Sequence, residues 1–169
     1  MVALIVPILI VDGYNIIGAW DELKKLKETS MGSARDQLIA TLSAYYPWCW
    51  KRIIIVFDGQ RYAWEHVDGV EAVFTEDRES ADTMIEKLAA GLSGYYQVEV
   101  ATSDSAEYRA ASNLGARALS APALKERLAE ERNSYQRRLA DQSSRRGVML
   151  NDILHKSVLD NLERLRRPK

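Results

Sequence analysis

Four aspartates stand where a carboxylate can do chemistry: Asp12, Asp58, Asp82 and Asp104. Asp12 follows the apolar run Ile8 to Val11, Asp58 follows Ile53 to Phe57, and Asp104 follows Val98 to Ala101 through Thr102 and Ser103. Asp82 opens the segment Ser80 to Leu92. In open α/β sheets the ligand site forms outside the carboxyl ends of the strands. Four carboxylates converging on such an edge repel one another unless cations sit between them. A donor set of oxygens without thiolate or imidazole selects hard ions such as Mg²⁺ or Mn²⁺, which keep waters for substrate phosphates. One such ion, or two spaced about 4 Å apart, can activate water and stabilise the leaving oxygen in phosphodiester hydrolysis. Each aspartate also has an ordinary structural use, since Asp-Gly after a strand makes turns and Asp at a helix start caps it.

The elements that must hold these residues follow from the hydrophobic pattern. Ile8 to Val11 and Ile53 to Phe57 are short, continuous and rich in β-branched residues, as strands covered on both faces are. Further strands are expected at Glu71 to Phe74, Gln97 to Ala101 and Ala116 to Ser120. Helical spacing runs through Ala34 to Tyr45, where Leu38, Leu42 and Tyr45 share a face, and through Ser80 to Leu92 with Met84, Ile85 and Leu88. Ser105 to Leu114 forms a third helix, with Asp104 or Ser105 available as its cap. Alternating strands and helices imply βαβ units and a mostly parallel sheet. After Pro122 the pattern is helical and charged to about Asp141, breaks at Ser143 to Gly147, and resumes from Asn151 to Arg166. Leu139, Ile153, Leu154, Val158, Leu159, Leu162 and Leu165 give this tail an apolar face to dock on the body. The 169 residues are expected to form one domain, an α/β body over 1–120 carrying a tail over 121–169.

The formal net charge of -1 names no partner until the chain is divided. Residues 1–116 carry 10 basic and 17 acidic side chains, a net of -7, and residues 117–169 carry 13 and 7, a net of +6. The single cysteine, Cys49, cannot form an internal disulfide, and with only His66 and His155 there is no zinc-spaced cluster. This suits a reducing compartment, the cytoplasm or an equivalent such as an organelle stroma. The opening MVALIVPILIV lacks the basic start and cleavage site of a signal peptide and is too short to span a bilayer, so it is expected to be a buried strand and no membrane partner is expected.

The segment ILIVDGYNIIG at 8–18, followed by IIVFDG at 54–59, SADTMIE at 80–86 and TSD at 102–104, resembles the NYN/PIN-like nuclease superfamily and, more closely, its YacP branch. The similarity extends over essentially the whole chain, including the arginine-rich tail. It implies a PIN-like three-layer α/β/α fold with a mostly parallel central sheet and a helical, basic C-terminal extension. It also implies a divalent-metal endoribonuclease that cuts single-stranded RNA. The branch's characterised bacterial member is ribosome-associated and cuts mRNA in the A site, which makes mRNA and the ribosome the implied partners. Carried onto this chain, the acidic site maps to Asp12, Asp58, Asp82 and Asp104, with Asp58 the ligand that could instead shape the pocket. Asn15 matches the motif asparagine that positions Asp12 or a metal water, and Ser103 the small hydroxyl residue before the last aspartate. Glu86, one helical turn beyond Asp82, can reach the site edge through a water or can be a solvated helix-face residue.

A carboxylate site repels phosphate, so RNA binding needs cations on its rim. Arg109 and Arg117 are expected near the scissile phosphate, and the tail offers Arg127, Arg132, Arg137, Arg138, Arg145 and Arg146. Arg61, Tyr62, Trp64 and His66, between Asp58 and the next strand, combine cation and aromatic faces suited to stacking single-stranded bases, although Tyr62 and Trp64 can instead pack on the sheet edge. Trp48, Cys49 and Trp50 read as packing residues. Two phosphotransfer alternatives lack their residues. A haloacid-dehalogenase type site needs an acid two positions after Asp12, where Tyr14 stands, and a receiver domain needs paired acids there and a late lysine. A catalytically silent RNA- or ribosome-binding module is the remaining alternative. The nuclease expectation is also spatial: the tail arginines should line one side of the cleft that contains Asp12.

Overall fold

The computed structural model describes the backbone of residues 5–165 and the side chains of residues 5–144. Its centre is a six-stranded sheet made of β1 (Ile8–Asp12), β2 (Arg52–Phe57), β3 (Ala63–Val67), β4 (Val70–Phe74), β5 (Val98–Thr102) and β6 (Arg117–Ser120). The strand order is β3-β4-β2-β1-β5-β6, parallel throughout except for β3, which runs antiparallel to β4 at one edge. The helices are α1 (Gly13–Ala19), α2 (Asp21–Thr29), α3 (Met31–Ser43), α4 (Ala81–Ser93), α5 (Ser105–Asn113) and α6 (Ala121–Leu165). The fold is therefore the three-layer α/β/α arrangement with a mostly parallel sheet.

Alternate residues of the strands feed two separate cores. Leu9, Val11, Ile53, Ile55 and Phe57 face α1, α2, α3 and the first two turns of α6. Ile8, Ile10, Ile54, Val56 and Val100 face α4 and α5. This is why β1 and β2 read as unbroken apolar runs: both faces are covered, and every residue of β1 is buried. Right-handed crossovers explain the division of the helices. The chain leaves β1 toward β2 through α1–α3 on one face, then returns across the sheet from β4 to β5 through α4 on the other. The direction of winding thus reverses between β1 and β5, which opens a crevice at their carboxyl ends.

Several expected elements differ from the observed ones. The stretch after Asp58 contains a strand, β3, closed onto β4 by Asp68-Gly69 with φ of 50° and 83°. Positive φ at both central residues makes the tight primed turn whose twist suits a hairpin. Gly69 also has no room for a side chain, because a Cβ there would stand 2.3 Å from the Tyr46 ring. Residues 13–29 form α1 and α2, and α6 continues through Ser143 to Gly147 without the expected break. No Pro lies within residues 123–165, and the lone Gly147 lowers helix propensity without ending the helix.

The chain divides into two compact units, residues 1–128 and 129–169. The first holds the whole sheet and extends past residue 120, because Ala121, Leu124 and Leu128 belong to its core. In the second, the described side chains are almost all exposed, Leu139 among them at 44%. Leu139 therefore does not have the burial expected of it. Ile153, Leu154, Val158, Leu159, Leu162 and Leu165 lie outside the described side chains. Among the described residues no helix is long and apolar enough to cross a membrane.

Candidate metal centre

Asp12 ends β1 and at the same time caps α1, so its position is fixed by the central strand and by the helix that follows it without a loop. Its carboxylate is only 4% exposed. Asn15 holds both oxygens: its backbone N–H donates to Oδ1 at 3.2 Å and its Nδ2 to Oδ2 at 2.5 Å. Ser103 completes the chain by donating its hydroxyl to Asn15 Oδ1 at 2.6 Å, across from the β5 end of the crevice. The direct passage from strand to helix requires Gly13, where a Cβ would stand 2.2 Å from the Phe57 ring.

Asp82 comes from the first turn of α4, on the other face. Ser80 caps that helix, accepting from the Thr83 N–H at 3.2 Å. Asp58, just past β2, accepts from the Ala81 N–H at 2.7 Å and so ties the helix start to the strand end. Asp58 thus anchors the element that carries Asp82. Asp104 has a similar part at α5, where Oδ1 accepts from the Ala106 and Glu107 N–H groups at 2.7 and 3.1 Å.

Oxygens of Asp12, Asp82 and Glu107 all lie within 4.8 Å of one another. Glu107 was not among the sequence candidates. It is the third residue of α5, 4% exposed, and accepts from the Thr102 hydroxyl through Oε2. Its Oε1 is buried and has no hydrogen-bond donor in the structure. The neighbouring Asp12 carboxylate can share a Glu107 proton but offers none of its own. Burial pushes the Glu107 carboxyl up to about 8, and the charges of Asp12 and Asp82 add to the rise while the Thr102 hydroxyl opposes it. Asp82 is also held above its ordinary value, first by burial and then by Asp12, Asp104, Asp58 and Glu86. All four predicted aspartates and Glu86 therefore act on one locus, but the trio with converging oxygens contains Glu107 in place of Asp58 and Asp104. A sequence signal for Glu107 existed. TSDSAE at 102–107 sets an acid at the third helical position directly after a strand, but that spacing is also a capping box. Here the Asp104 N–H is taken by the Thr102 hydroxyl at 3.0 Å, which leaves Glu107 for the crevice.

The donor set suits a hard divalent cation. It consists of carboxylate oxygens, one of them buried without a donor, and mutual repulsion that a cation removes.

The proposed RNA-facing residues are scattered. Arg61 and Tyr62 are exposed in the link between β2 and β3, at the carboxyl edge because Ala63 is in register with Phe74 and Phe74 with Phe57. Trp64 is partly buried against the α4/α5 core and donates Nε1 to Glu71 at 3.1 Å, with the Arg52 guanidinium over its ring. Its ring packs on the sheet and is not free to stack a base. Arg109 is exposed on α5. Arg117 departs from its expected place. It opens β6 in register with Glu99, which pairs with Leu9, so it stands about 10 Å before the end of β1 at roughly 3.3 Å per residue. There it is 70% exposed and pairs with Glu99, which also accepts from Trp50 and Arg127. Parallel pairing puts the first residue of β6 at the amino end of the sheet, opposite the acidic edge. Arg137 and Arg138 are exposed on α6, and the side chains of Arg145 and Arg146 lie outside the described residues.

Comparison with known proteins agrees with this architecture. The family model described as "YacP-like NYN domain" matches residues 9–167. The chain is 44% identical over 116 residues to the uncharacterized protein YacP of Bacillus subtilis strain 168, covering 64% of this chain and 67% of that one. A crystal structure of Rae1 (YacP) from B. subtilis, in a mutant form, superposes with a TM-score of 0.70 at 40% identity over 82% of this chain and 84% of the other. A second crystal structure of Rae1 (YacP) covers 95% and 94% of the two chains at 38% identity and a TM-score of 0.65. With the family model spanning nearly the full length and a common PIN-like fold, the chain belongs to the YacP-like NYN domain family.

Proposed function

We propose that this protein is a divalent-metal-dependent endoribonuclease acting on single-stranded RNA, with mRNA on translating ribosomes as its substrate. The observation that carries the reading is the trio Asp12, Asp82 and Glu107, three carboxylates delivered by three elements to the one crevice where the sheet reverses its winding. Family membership supports the nuclease class. The ribosomal A site as the place of action, and the cytoplasm as the compartment, rest on the resemblance to the YacP branch.

Asp12, Asp82 and Glu107 would hold Mg²⁺ or Mn²⁺, which supplies the Lewis-acid charge and water activation that phosphodiester hydrolysis needs. The protein's own contribution is preorganisation. Asn15 and Ser103 lock the Asp12 rotamer, Asp58 and Ser80 fix the first turn of α4 under Asp82, and Asp104 fixes the first turn of α5 under Glu107. Such outer partners orient ligands whose placement sets the rate. Glu86 adds negative charge at the rim. Hydrolysis by water with the 3′-oxygen as the leaving group would give 5′-phosphate and 3′-hydroxyl ends. The residues 1–120 and the basic extension 121–169 act as one domain in this reading, with Arg61, Tyr62, Arg109 and the tail arginines Arg137, Arg138, Arg145 and Arg146 on the RNA.

The test compares wild type with Asp12→Asn and Asp82→Asn on polysomal and naked RNA, with Mn²⁺ and with EDTA. Metal-dependent cleavage by wild type alone, with 5′-phosphate products, is the expected result. Equal cleavage by all three proteins, or products ending in 2′,3′-cyclic phosphate, would refute the site. A wild type that binds ribosomes and never cuts would make the protein a silent binding module.

A further inference from the structure

Arg35, in the second turn of α3, is a partly buried cation held by aromatic rings and a phenol. Its Nη1 donates to Tyr14 Oη at 3.1 Å, and its guanidinium carbon lies 5.5 Å from the centroid of the Phe74 ring. Those rings belong to one aromatic cluster, with Tyr14 and Phe57 centroids 5.2 Å apart and tilted at 58°, and Phe57 and Phe74 stacked with centroids 5.3 Å apart. The cluster ties Arg35 to the acidic edge from two sides, since Tyr14 comes two residues after Asp12 and Phe57 immediately before Asp58.

Among the described residues no carboxylate pairs with Arg35, whereas the partly buried Arg52 and Arg127 pair with Glu71 and Glu99. A guanidinium near a helix N-terminus gains nothing from the helix dipole, so its place has no local electrostatic reward. Six carboxylates gather on the same sheet edge, yet none pairs with it. The group is also accessible, because it forms one end of an open cleft of about 440 Å³ between α3 and the β3–β4 pair. Arg35 is the one cation among the described residues lining that cleft, at its carboxyl-edge end beside Phe74, while Asp36, Glu65 and, at the hairpin turn, Asp68 make the rest of the lining acidic. An anion is therefore held at the Arg35 end on the sheet edge and not along the cleft. A planar guanidinium with free donors, set on an aromatic floor and lacking a counter-ion, matches a phosphate diester.

We infer that Arg35, positioned by Tyr14 and Phe74, binds a backbone phosphate of single-stranded RNA flanking the scissile one. The inference rests on the nuclease reading above and adds a direction to it: the strand leaves the Asp12, Asp82 and Glu107 centre and passes over the Tyr14 side of the sheet edge toward α3. The centre itself draws on α4 and α5, on the opposite face, so the strand crosses the edge.

The experiment measures binding of a mixed-sequence single-stranded oligoribonucleotide by fluorescence anisotropy, with Ca²⁺ present, over a series of KCl concentrations, for wild type, Arg35→Ala and Arg35→Lys. Loss of one phosphate contact lowers affinity about tenfold and makes the slope of log K against log salt shallower by about 0.7. Arg35→Ala should show both effects. Arg35→Lys should keep the wild-type slope with a smaller loss of affinity, because it keeps the charge and loses the fork that meets Tyr14 and phosphate. A packing defect would weaken binding without a change of slope, so an unchanged slope in Arg35→Ala overturns the inference while leaving wild-type cleavage intact. Failure of the wild type to bind or cut RNA would overturn the nuclease reading and this inference together.

Discussion

Glu107→Gln separates the buried acid of the candidate centre from the shape it fills. Glutamine keeps the volume of the side chain and an oxygen for the Thr102 hydroxyl, and removes the titrating proton. Glu107 titrates near 8 in the fold against an ordinary value of 4.5, so the folded protein retains a proton that the unfolded chain releases between those values. The stabilisation from that bound proton is complete below about pH 4.5 and is lost as pH rises toward 8, at up to about 1.4 kcal/mol per pH unit. Across the window the bound is about 5 kcal/mol, and realising even about 2 kcal/mol of it moves Tm by roughly 4–8 °C in a chain of this size. The assay is thermal unfolding of wild type and Glu107→Gln in EDTA at a series of pH values, where titrating groups distant from Glu107 cancel in the difference and the linked Asp12 and Asp82 belong to the same acidic unit. The two proteins should have similar Tm near pH 5, and the variant should be the more stable by pH 8. Adding Mn²⁺ at pH 8 should then restore wild type, since the cation replaces the proton, and should raise Glu107→Gln much less. A wild-type-minus-variant difference that does not change with pH would refute the buried-acid assignment, and an equal response of both proteins to Mn²⁺ would remove Glu107 from the metal centre.

Three further outcomes follow from named contacts. Asn15→Ala frees the Asp12 carboxylate from its amide partner and should lower metal affinity about 10–100-fold by isothermal calorimetry, with Ser103→Ala giving a smaller loss in the same direction. Gly13→Ala puts a methyl into the Phe57 ring and should cost about 1–3 kcal/mol in urea unfolding, so an unchanged midpoint would contradict the close strand-to-helix passage. Arg127→Ala leaves the buried Glu99 without its closest cation and should cost about 3 kcal/mol, whereas Arg117→Ala at an exposed pair should cost under about 1 kcal/mol and leave RNA affinity unchanged.

The residues of β1, β2 and α4 carried their structure in their own order. Continuous β-branched runs ending in Asp-Gly announce covered parallel strands with carboxylates at their ends, and the Ser80-Ala-Asp82 start of a periodic segment announces a capped helix. These are local signals, and so were the VDGYN motif and its aspartates. The hairpin at Asp68-Gly69 was equally local, but its first strand, AWEHV, alternates weakly and hides beside aromatic and charged residues that also suit a loop. Other features depend on contacts distant in sequence. The order β3-β4-β2-β1-β5-β6 places the reversal of winding between β1 and β5, and only that neighbourhood turns Glu107 from a capping residue into a buried carboxylate facing Asp12. The same order sends Arg117 to the amino end of the sheet, beside Glu99. Arg35 looks like any helix-face arginine until Tyr14 and Phe74, joined through Phe57, are brought against it. The sequence alone thus determined which carboxylates end strands or open helices, because that is a property of short segments. Tertiary structure decided which of them converge and which partly buried arginine among the described residues lacks a carboxylate partner, because burial and charge pairing are set by segments that meet only when the sheet is assembled.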